Sequence, residues 1–193
     1  MPHSPDIAKD MVRLEALLRG HVVPHLKARA EARILDLACG RCDEAETLIK
    51  VVGDEAQADN VKLIGADIRI REIRQARERT EKLGAEFLLE DATQLSHHKQ
   101  LGDDFDMVFL RHQNYWHGPE VWKKIFDNGL ARLGDDGLMV ITSYFDKEHQ
   151  LALEALQKLG AEVVLSKRNE ASRELETQGK SVDRWLAVLK KPA

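Results

Sequence analysis

The chain of 193 residues has few of the features that mark secreted, membrane-spanning or nucleic-acid-binding proteins. It holds only two cysteines, too few for the disulfide framework of a small secreted domain. No apolar run approaches the roughly 18 residues that a membrane-spanning helix requires. The formal net charge is −4 and the pI is near 6.1, so the chain has no general attraction to nucleic acid or an anionic membrane. We therefore expect neither a membrane nor a nucleic acid as partner.

The length and the amino terminus suggest a simple organisation. Residues 1–10 lack the basic and apolar regions of a signal peptide, which predicts a cytoplasmic protein. The length suits one domain with a sizeable core. No repeat or linker interrupts the pattern. We predict a single domain over 1–193, in which 1–30 form an N-terminal helical extension over the ligand-binding cleft.

Apolar periodicity predicts strands that alternate with helices. The predicted strands are 34–37, 61–64, 87–89, 107–110, 138–142, 163–165 and 185–189. The predicted helices are 5–29, ended or kinked at Pro24, then 45–52, 70–83, 93–101, 119–130 and 151–159, with a turn at 134–137. No helical pattern separates the last two strands, so we expect them to be antiparallel. The fold class is α/β: a doubly wound, Rossmann-like, seven-stranded mixed sheet, mostly parallel, with a C-terminal antiparallel hairpin strand.

Small or acidic residues stand at the carboxyl ends of the first three strands, where open α/β sheets bind ligands. The first strand leads into a turn of small residues through Gly40, which lets a ligand approach the backbone at the start of a helix. Asp67 and Asp91 follow the second and third strands. Two acids so placed could bind a ribose diol and an exocyclic amine. This layout suits a nucleoside cofactor.

These motifs resemble the class I S-adenosylmethionine-dependent methyltransferases, over nearly the whole chain from about residue 30. Asp36-Leu-Ala-Cys-Gly40 is similar to the family's first motif, which surrounds the methionine part of the cofactor. Asp67 stands where the family has its ribose-binding acid, and Asp91-Ala92 resembles the motif that contacts adenine. The resemblance implies S-adenosylmethionine as cofactor. The cofactor-binding residues that it implies are Asp36, Ala38, Cys39, Gly40, Asp67, Ile68, Asp91, Ala92 and Arg111.

The chain departs from the family pattern at two places. The first motif usually has a further glycine where Cys42 stands, so backbone approach to the cofactor is expected to be restricted. The Asn-Pro-Pro-Tyr signature of many base and glutamine N-methyltransferases is replaced by Arg111-His-Gln-Asn-Tyr-Trp116.

The segment after the fourth strand is expected to face the methyl acceptor. His112 is the candidate catalytic base for an acceptor that must lose a proton. We expect the acceptor to contact Asn114, Tyr115, Trp116 and Tyr144. An alternative stays open, in which Trp116 packs beneath the next helix and His112 binds a backbone carbonyl. The polar connection 166–180 is expected to overhang the rim as a lid or mobile loop.

Other interpretations of the acids and cysteines are structural or redox. Asp67 could cap the next helix, and Asp91 could cap or stabilise a turn. Cys39-Gly-Arg-Cys42 has the spacing of a redox pair or of half a metal site. Two further metal ligands at a compatible spacing are not evident, and no late strand follows a suitable proline. We interpret the two cysteines as small apolar residues in a tight turn and predict no metal.

The sequence therefore predicts an enzyme that transfers a methyl group from S-adenosylmethionine to an unidentified small-molecule acceptor. A small acceptor is favoured because the chain has no added recognition domain and no overall basic charge. Two alternatives stay open: a non-catalytic module of the same fold that binds a nucleoside cofactor, and a thiol oxidoreductase using the C-x-x-C pair. A nicotinamide enzyme is disfavoured because no G-x-G-x-x-G follows the first strand.

Overall fold

A computed structural model describes residues 3–56 and 60–192, so residues 1, 2, 57–59 and 193 of the predicted domain lie outside it. The helices are α1 (Pro5–His21), α2 (Ala45–Ala56), α3 (Ile70–Thr80), α4 (Pro119–Ala131) and α5 (Asp146–Lys158). The strands are β1 (Glu31–Leu37), β2 (Asn60–Asp67), β3 (Glu86–Leu89), β4 (Phe105–Leu110), β5 (Leu133–Ser143), β6 (Glu162–Arg168), β7 (Arg173–Glu174), β8 (Ser181–Val182) and β9 (Trp185–Lys190).

Seven of the strands form one mixed sheet in the order β3-β2-β1-β4-β5-β9-β6. Strands β1 to β5 pair in parallel, and β9 is antiparallel to both of its neighbours, β5 and β6. The predicted fold class is confirmed, including the antiparallel strand at the end of the chain. Because β9 runs against its neighbours, it begins at the edge of the sheet where β4 and β5 end. Ser143, the last residue of β5, lies opposite Trp185, the first residue of β9.

Two hydrophobic clusters cover the two faces of the sheet. Successive residues of a strand point to opposite faces, so Ile34 belongs to one cluster and Leu35 to the other. The first cluster is packed by α1, α2 and α3, and the second by α4 and α5. This double covering explains why the central strands are nearly continuous apolar runs.

Helix α1 is part of the first cluster. Its residues Leu14 and Leu18 are fully buried, and they contribute to the core that contains Leu48 of α2. The helix predicted over 5–29 ends at His21, and Pro24 lies in a short 3-10 helix, Val23–His25. Proline has no N–H to continue the helical hydrogen bonds, so the helix ends before it.

Three other predicted elements differ in the structure. The predicted helix 93–101 is two 3-10 helices, Ala92–His97 and Lys99–Leu101. The predicted turn 134–137 belongs to β5, whose pairing with β4 shifts register there. At this shift a Cβ on Gly137 would collide with the carbonyl oxygen of Phe105, so the close approach requires glycine. The connection 166–180 continues β6 and then begins the β7–β8 hairpin. No helix in the described part of the chain is long and apolar enough to cross a membrane.

Replacement of Leu18 by alanine should lower the free energy of unfolding by about 2–5 kcal/mol, because it leaves a cavity between α1 and the sheet. Val12→Ala on the same helix is the control, since Val12 is 69% exposed; its effect should stay within about 0.5 kcal/mol. Urea titration followed by circular dichroism measures both. Equal effects of the two substitutions would show that α1 is not packed as described.

Candidate active site

A cavity of about 230 Å³ opens at the carboxyl ends of β1, β2 and β3, against helix α4. Apolar and acidic side chains share its wall. The residues that line it are Ala38, Ala66, Asp67, Ile68, Arg69, Glu90, Asp91, Ala92, Val121, Trp122 and Ile125. Five of the residues predicted to bind the cofactor therefore lie together: Ala38, Asp67, Ile68, Asp91 and Ala92.

The loop between β1 and α2 has an unusual backbone. Ala38, Gly40 and Cys42 have φ angles of 54°, 56° and 49°, in the left-handed region that favours glycine. Cys42 thus adopts the conformation that a glycine would adopt, at a steric cost of roughly 1–2 kcal/mol. Its side chain is fully buried and lines none of the cavities described here. The expected restriction of backbone approach by Cys42 is therefore not seen on the cavity side of the loop.

Asp67 connects this loop to β2. Its carboxylate accepts from the Gly40 N–H at 2.9 Å and from the Arg69 N–H at 2.8 Å. The Arg69 side chain also binds it, through Nε at 2.9 Å and Nη2 at 3.1 Å. Burial alone would raise the pKa of Asp67, but these donors hold it below its usual value. The Arg69 side chain is 58% exposed and can rotate away, so a ligand diol could replace it on the carboxylate.

Asp91 caps the 3-10 helix that follows it. Its Oδ1 accepts from the Thr93 N–H at 2.8 Å. The capping alternative is therefore part of the structure for Asp91, through Thr93, whereas Asp67 stabilises the turn to Arg69 and does not cap α3. Capping does not exclude ligand binding, because both side chains line the same cavity.

Asp36 lies beneath the loop, outside the cavity wall. It is fully buried, and Cys42 Sγ donates to its Oδ2 at 3.0 Å, whereas Oδ1 has no partner within the described ranges. Burial and the nearby Glu44 carboxylate raise the pKa of Asp36 well above its usual value. A protonated carboxyl group supports the loop as a hydrogen-bonding group without a buried charge.

The environment of the two cysteines, which are free and buried, disfavours their thiolate forms. A hydrogen bond with Cys39 and then burial raise the pKa of the Cys42 thiol well above its usual value. The same hydrogen bond would lower the pKa of Cys39, but burial and neighbouring carboxylates raise it on balance. Ligand atoms of Asp36, Cys42 and Glu44 lie within 4.8 Å of one another. Burial favours the protonated forms of Asp36 and Cys42, so a metal bound by them would have to displace protons.

A second cavity of about 240 Å³ is lined by the loop, by α1 and by the β7–β8 hairpin. Paired charges and aromatic rings form its wall. The residues that line it are Ile7, Asp10, Met11, Arg41, Asp43, Arg111, His112, Tyr144, Arg173, Leu175 and Val182. The Arg173 guanidinium binds both oxygens of Asp10, at 2.9 and 2.5 Å, and so ties the hairpin to α1.

His112 is held tightly at the end of β4. Its φ is 56°, and its backbone N–H donates to Thr142 Oγ1 at 3.0 Å. The ring stacks on Tyr144 with 3.9 Å between centroids. Nε2 lies 2.9 Å from Asp183 Oδ1 and 3.1 Å from the Asp183 backbone nitrogen. The alternative in which His112 binds a backbone carbonyl is therefore not what the structure shows.

Comparison with known proteins agrees with this geometry. A family model described as "Methyltransferase domain" matches residues 28–187. The chain belongs to this methyltransferase family. Within it the protein is a class I S-adenosylmethionine-dependent methyltransferase, and S-adenosylmethionine is its cofactor, as the sequence motifs predicted. No curated protein sequence matches the chain.

Solved methyltransferase structures have the same fold at low sequence identity. A TehB-like S-adenosylmethionine-dependent enzyme from Corynebacterium glutamicum is 19% identical, with 94% of this chain and 86% of that one covered and a TM-score of 0.62. The N-methyltransferase NodS from Bradyrhizobium japonicum is 14% identical, with 96% and 98% covered and a TM-score of 0.68. An rRNA methylase from Streptococcus thermophilus is 17% identical, with 92% and 95% covered and a TM-score of 0.59.

Other predicted site residues of this methyltransferase lie apart from the first cavity. Arg111 lines the second cavity with His112, and of the four predicted acceptor contacts Tyr144 lines it too. Tyr115 is buried with its ring stacked on Phe126, 5.9 Å between centroids.

The remaining predicted contacts lie further along the same segment. Trp116 is 36% exposed and its ring packs against Phe145. Asn114 binds the His117 ring through Oδ1 at 2.7 Å.

The sequence analysis did not identify Asp183, a buried acid that binds two residues of the second cavity, Arg111 and His112. Asp183 accepts from Arg111 Nε at 3.1 Å and Nη2 at 2.7 Å, and from Thr142 Oγ1 at 2.9 Å. The signal that could have found it is the predicted antiparallel direction of the last strand. The residues just before such a strand lie at the same edge as the ends of the parallel strands.

Glu148 holds the end of β5 in place beside the second cavity. Its carboxylate accepts from the Tyr144 N–H at 3.0 Å, and burial raises its pKa to about 7. The neighbouring His149 binds Ser143 and Ser166, and burial lowers its pKa to about 4.

Glu148→Gln should change how stability depends on pH. Because folding raises the pKa of Glu148 from 4.5 to about 7, its contribution to stability is full below pH 4.5 and is lost as the pH rises toward 7. The glutamine has no charge to lose. The free energy of unfolding of the variant relative to wild type should therefore rise by about 2–3 kcal/mol across this range. Denaturant titrations at several pH values measure the difference.

His149 titrates in both proteins, so its effect cancels in this difference. Glu154→Gln is the matched control, because it makes the same substitution at an exposed position of α5. For Glu154→Gln the difference in the free energy of unfolding from wild type should not change with pH. If the difference for Glu148→Gln is equally independent of pH, Glu148 does not have the raised pKa described above.

Proposed function

We propose that this methyltransferase transfers the methyl group of S-adenosylmethionine to a small molecule bound in the second cavity. The cofactor is assigned to the first cavity, where the Asp67 carboxylate takes the ribose diol and Asp91 with Ala92 takes the adenine. Ala38 and Gly40 bring the backbone of the loop close to the methionine part. A side chain at residue 40 would oppose this, because its Cβ would lie 3.1 Å from Arg69 Nη2 at a φ of 56°.

Residues of one loop, between β1 and α2, line both cavities: Ala38 the first, and Arg41 and Asp43 the second. This shared lining supports transfer from one cavity to the other. When bound, S-adenosylmethionine supplies a methyl group whose carbon–sulfur bond breaks with the electron pair left on sulfur, giving S-adenosylhomocysteine. The chain contributes alignment of the acceptor and, through His112, a base for an acceptor heteroatom that carries a proton. Arg111 is assigned to the second cavity and to the support of His112.

The observation that carries the choice of a small acceptor is the bridge between Asp10 and Arg173. It ties α1 to the β7–β8 hairpin at the second cavity, whose volume of about 240 Å³ is below that of a typical drug-sized pocket. The Streptococcus thermophilus neighbour is an rRNA methylase, so RNA is the second acceptor class to test.

Asp67→Asn should weaken the binding of S-adenosylmethionine and S-adenosylhomocysteine by about tenfold or more, because it removes a charge that holds both Gly40 and the ribose. Isothermal titration calorimetry measures the affinities, with NAD as the ligand expected not to bind. Asp135→Asn is the control, since Asp135 is 97% exposed and pairs with Lys191. If neither S-adenosylmethionine nor S-adenosylhomocysteine binds wild type at concentrations up to about 1 mM, the cofactor assignment is contradicted.

Incubation with methyl-labelled S-adenosylmethionine and a fractionated cell extract tests the acceptor class. We expect label in the small-molecule fraction, because the bridged cavity admits small acceptors. His112→Gln should abolish this labelling while cofactor affinity stays within about threefold. Label confined to RNA or protein would overturn the choice of acceptor, and tight cofactor binding with no labelled product would favour the non-catalytic module.

A further inference from the structure

We propose that Asp183 is a positioning residue for His112, which it holds with the proton on Nε2 so that Nδ1 accepts the proton of the methyl acceptor. This inference rests on the proposed function, because it specifies how the base beside the second cavity is prepared. Asp183 is not part of any motif that identified the cofactor site.

The topology of the sheet brings these two residues together. His112 follows β4, Thr142 lies near the end of β5, and Asp183 lies two residues before β9, which is the next strand across the sheet. Thr142 Oγ1 accepts from the His112 N–H at 3.0 Å and donates to Asp183 Oδ1 at 2.9 Å. One hydroxyl group therefore sets the distance between the histidine backbone and the carboxylate.

Asp183 is an ionised acceptor in this site. Burial alone would raise its pKa, but the charge of Arg111 and the contacts with His112 hold the pKa of the carboxyl well below its usual value. Arg111 is itself bound on its other side by Glu44, at 3.3 Å. A carboxylate with these partners remains charged while the histidine gains or loses a proton.

Two groups of Asp183 lie within reach of Nε2, and they demand opposite tautomers of neutral His112. The Asp183 N–H has hydrogen-bond geometry to Nε2 at 3.1 Å, which would place the ring proton on Nδ1. Asp183 Oδ1 is nearer, at 2.9 Å, and a proton on Nε2 donated to it would leave Nδ1 bare. A bare Nε2 would place its lone pair against an ionised carboxylate at that distance. The charge-assisted bond to Asp183 is roughly twice as strong as a neutral one, so the second arrangement prevails.

Nδ1 is then the ring nitrogen available to substrate. It has no hydrogen-bond partner among the residues that the structure describes, and His112 lines the second cavity. As the acceptor heteroatom gains the methyl group, its proton passes to Nδ1 and the ring becomes an imidazolium. Asp183 offsets that positive charge, and the adjacent Arg111 is itself paired with Asp183 and Glu44.

The backbone at both residues fits a site arranged for this contact. His112 and Asp183 have φ angles of 56° and 49°, a region that non-glycine residues rarely adopt. Asn169 Nδ2 donates to the Asp183 carbonyl at 3.0 Å and so fixes its orientation. Such strain persists only where the surroundings enforce it, as the two hydrogen bonds of Thr142 and that of Asn169 do here.

Nitrogen-15 NMR of the histidine rings in the full chain, at about pH 9 where an ordinary histidine is neutral, tests the proposal. His112→Gln identifies the signals of residue 112 by their loss. In wild type we expect the Nδ1 resonance at the position of an unprotonated nitrogen and Nε2 at that of a protonated one. In Asp183→Asn the proton should move to Nδ1, with the two resonances exchanged or averaged.

Glu44→Gln is the matched control, because it removes the other carboxylate that binds Arg111 without touching His112. It should leave the resonances of His112 in the wild-type pattern. Finding the proton on Nδ1 in wild type, or an unchanged pattern in Asp183→Asn, would overturn the proposal. Calorimetry with S-adenosylmethionine on the same samples separates a failure of this proposal from a failure of the proposed function. If wild type does not bind S-adenosylmethionine, the proposed function is refuted, whichever tautomer His112 adopts.

Discussion

The buried guanidinium of Arg111 is the interaction on which the arrangement of this site depends. It lies between Glu44, which precedes α2, and Asp183, which precedes β9, so three separate parts of the chain meet at one cation. Two carboxylates and one guanidinium leave a single excess negative charge in a place with little solvent. Removal of a buried charge partner typically costs about 3–5 kcal/mol, because the remaining charges lose compensation. The same contact therefore stabilises Glu44, which follows the loop of the first cavity, and Asp183, which binds His112 of the second cavity.

The fold could be predicted from the sequence because its signals are local and repeated. Apolar runs such as Leu138 to Ile141 are strands buried on both faces, and the amphipathic stripes between them are helices. The errors occurred where tertiary contacts outweigh local pattern. Residues 134–137 look like a free turn, but the pairing of β5 with β4 includes them, and Gly137 is required by a backbone approach that no local pattern reveals.

The site was predictable to the extent that it follows the ends of parallel strands. Asp67 and Asp91 were found by that rule, and they share one cavity. Proximity in sequence to β4 predicted less well which aromatic residue lies beside His112. Tyr115, which follows β4, packs in the core under α4. Tyr144, which follows β5, stacks on His112. Asp183 could be located only from the order of the strands. It precedes β9, which is antiparallel to β5 and pairs with residues more than 40 positions earlier in the chain, such as Trp185 with Ser143.

The position of β9 has a consequence for how the molecule is made. This strand is the last of the nine to leave the ribosome, yet it fills a gap between β5 and β6, which are synthesised earlier. Until β9 inserts, β5 has one unpaired edge and β6 has two, the kind of surface through which partly folded chains associate. The same insertion delivers Asp183 to Arg111 and His112. Pairing of these strand edges and placement of Asp183 beside His112 therefore depend on one and the same strand.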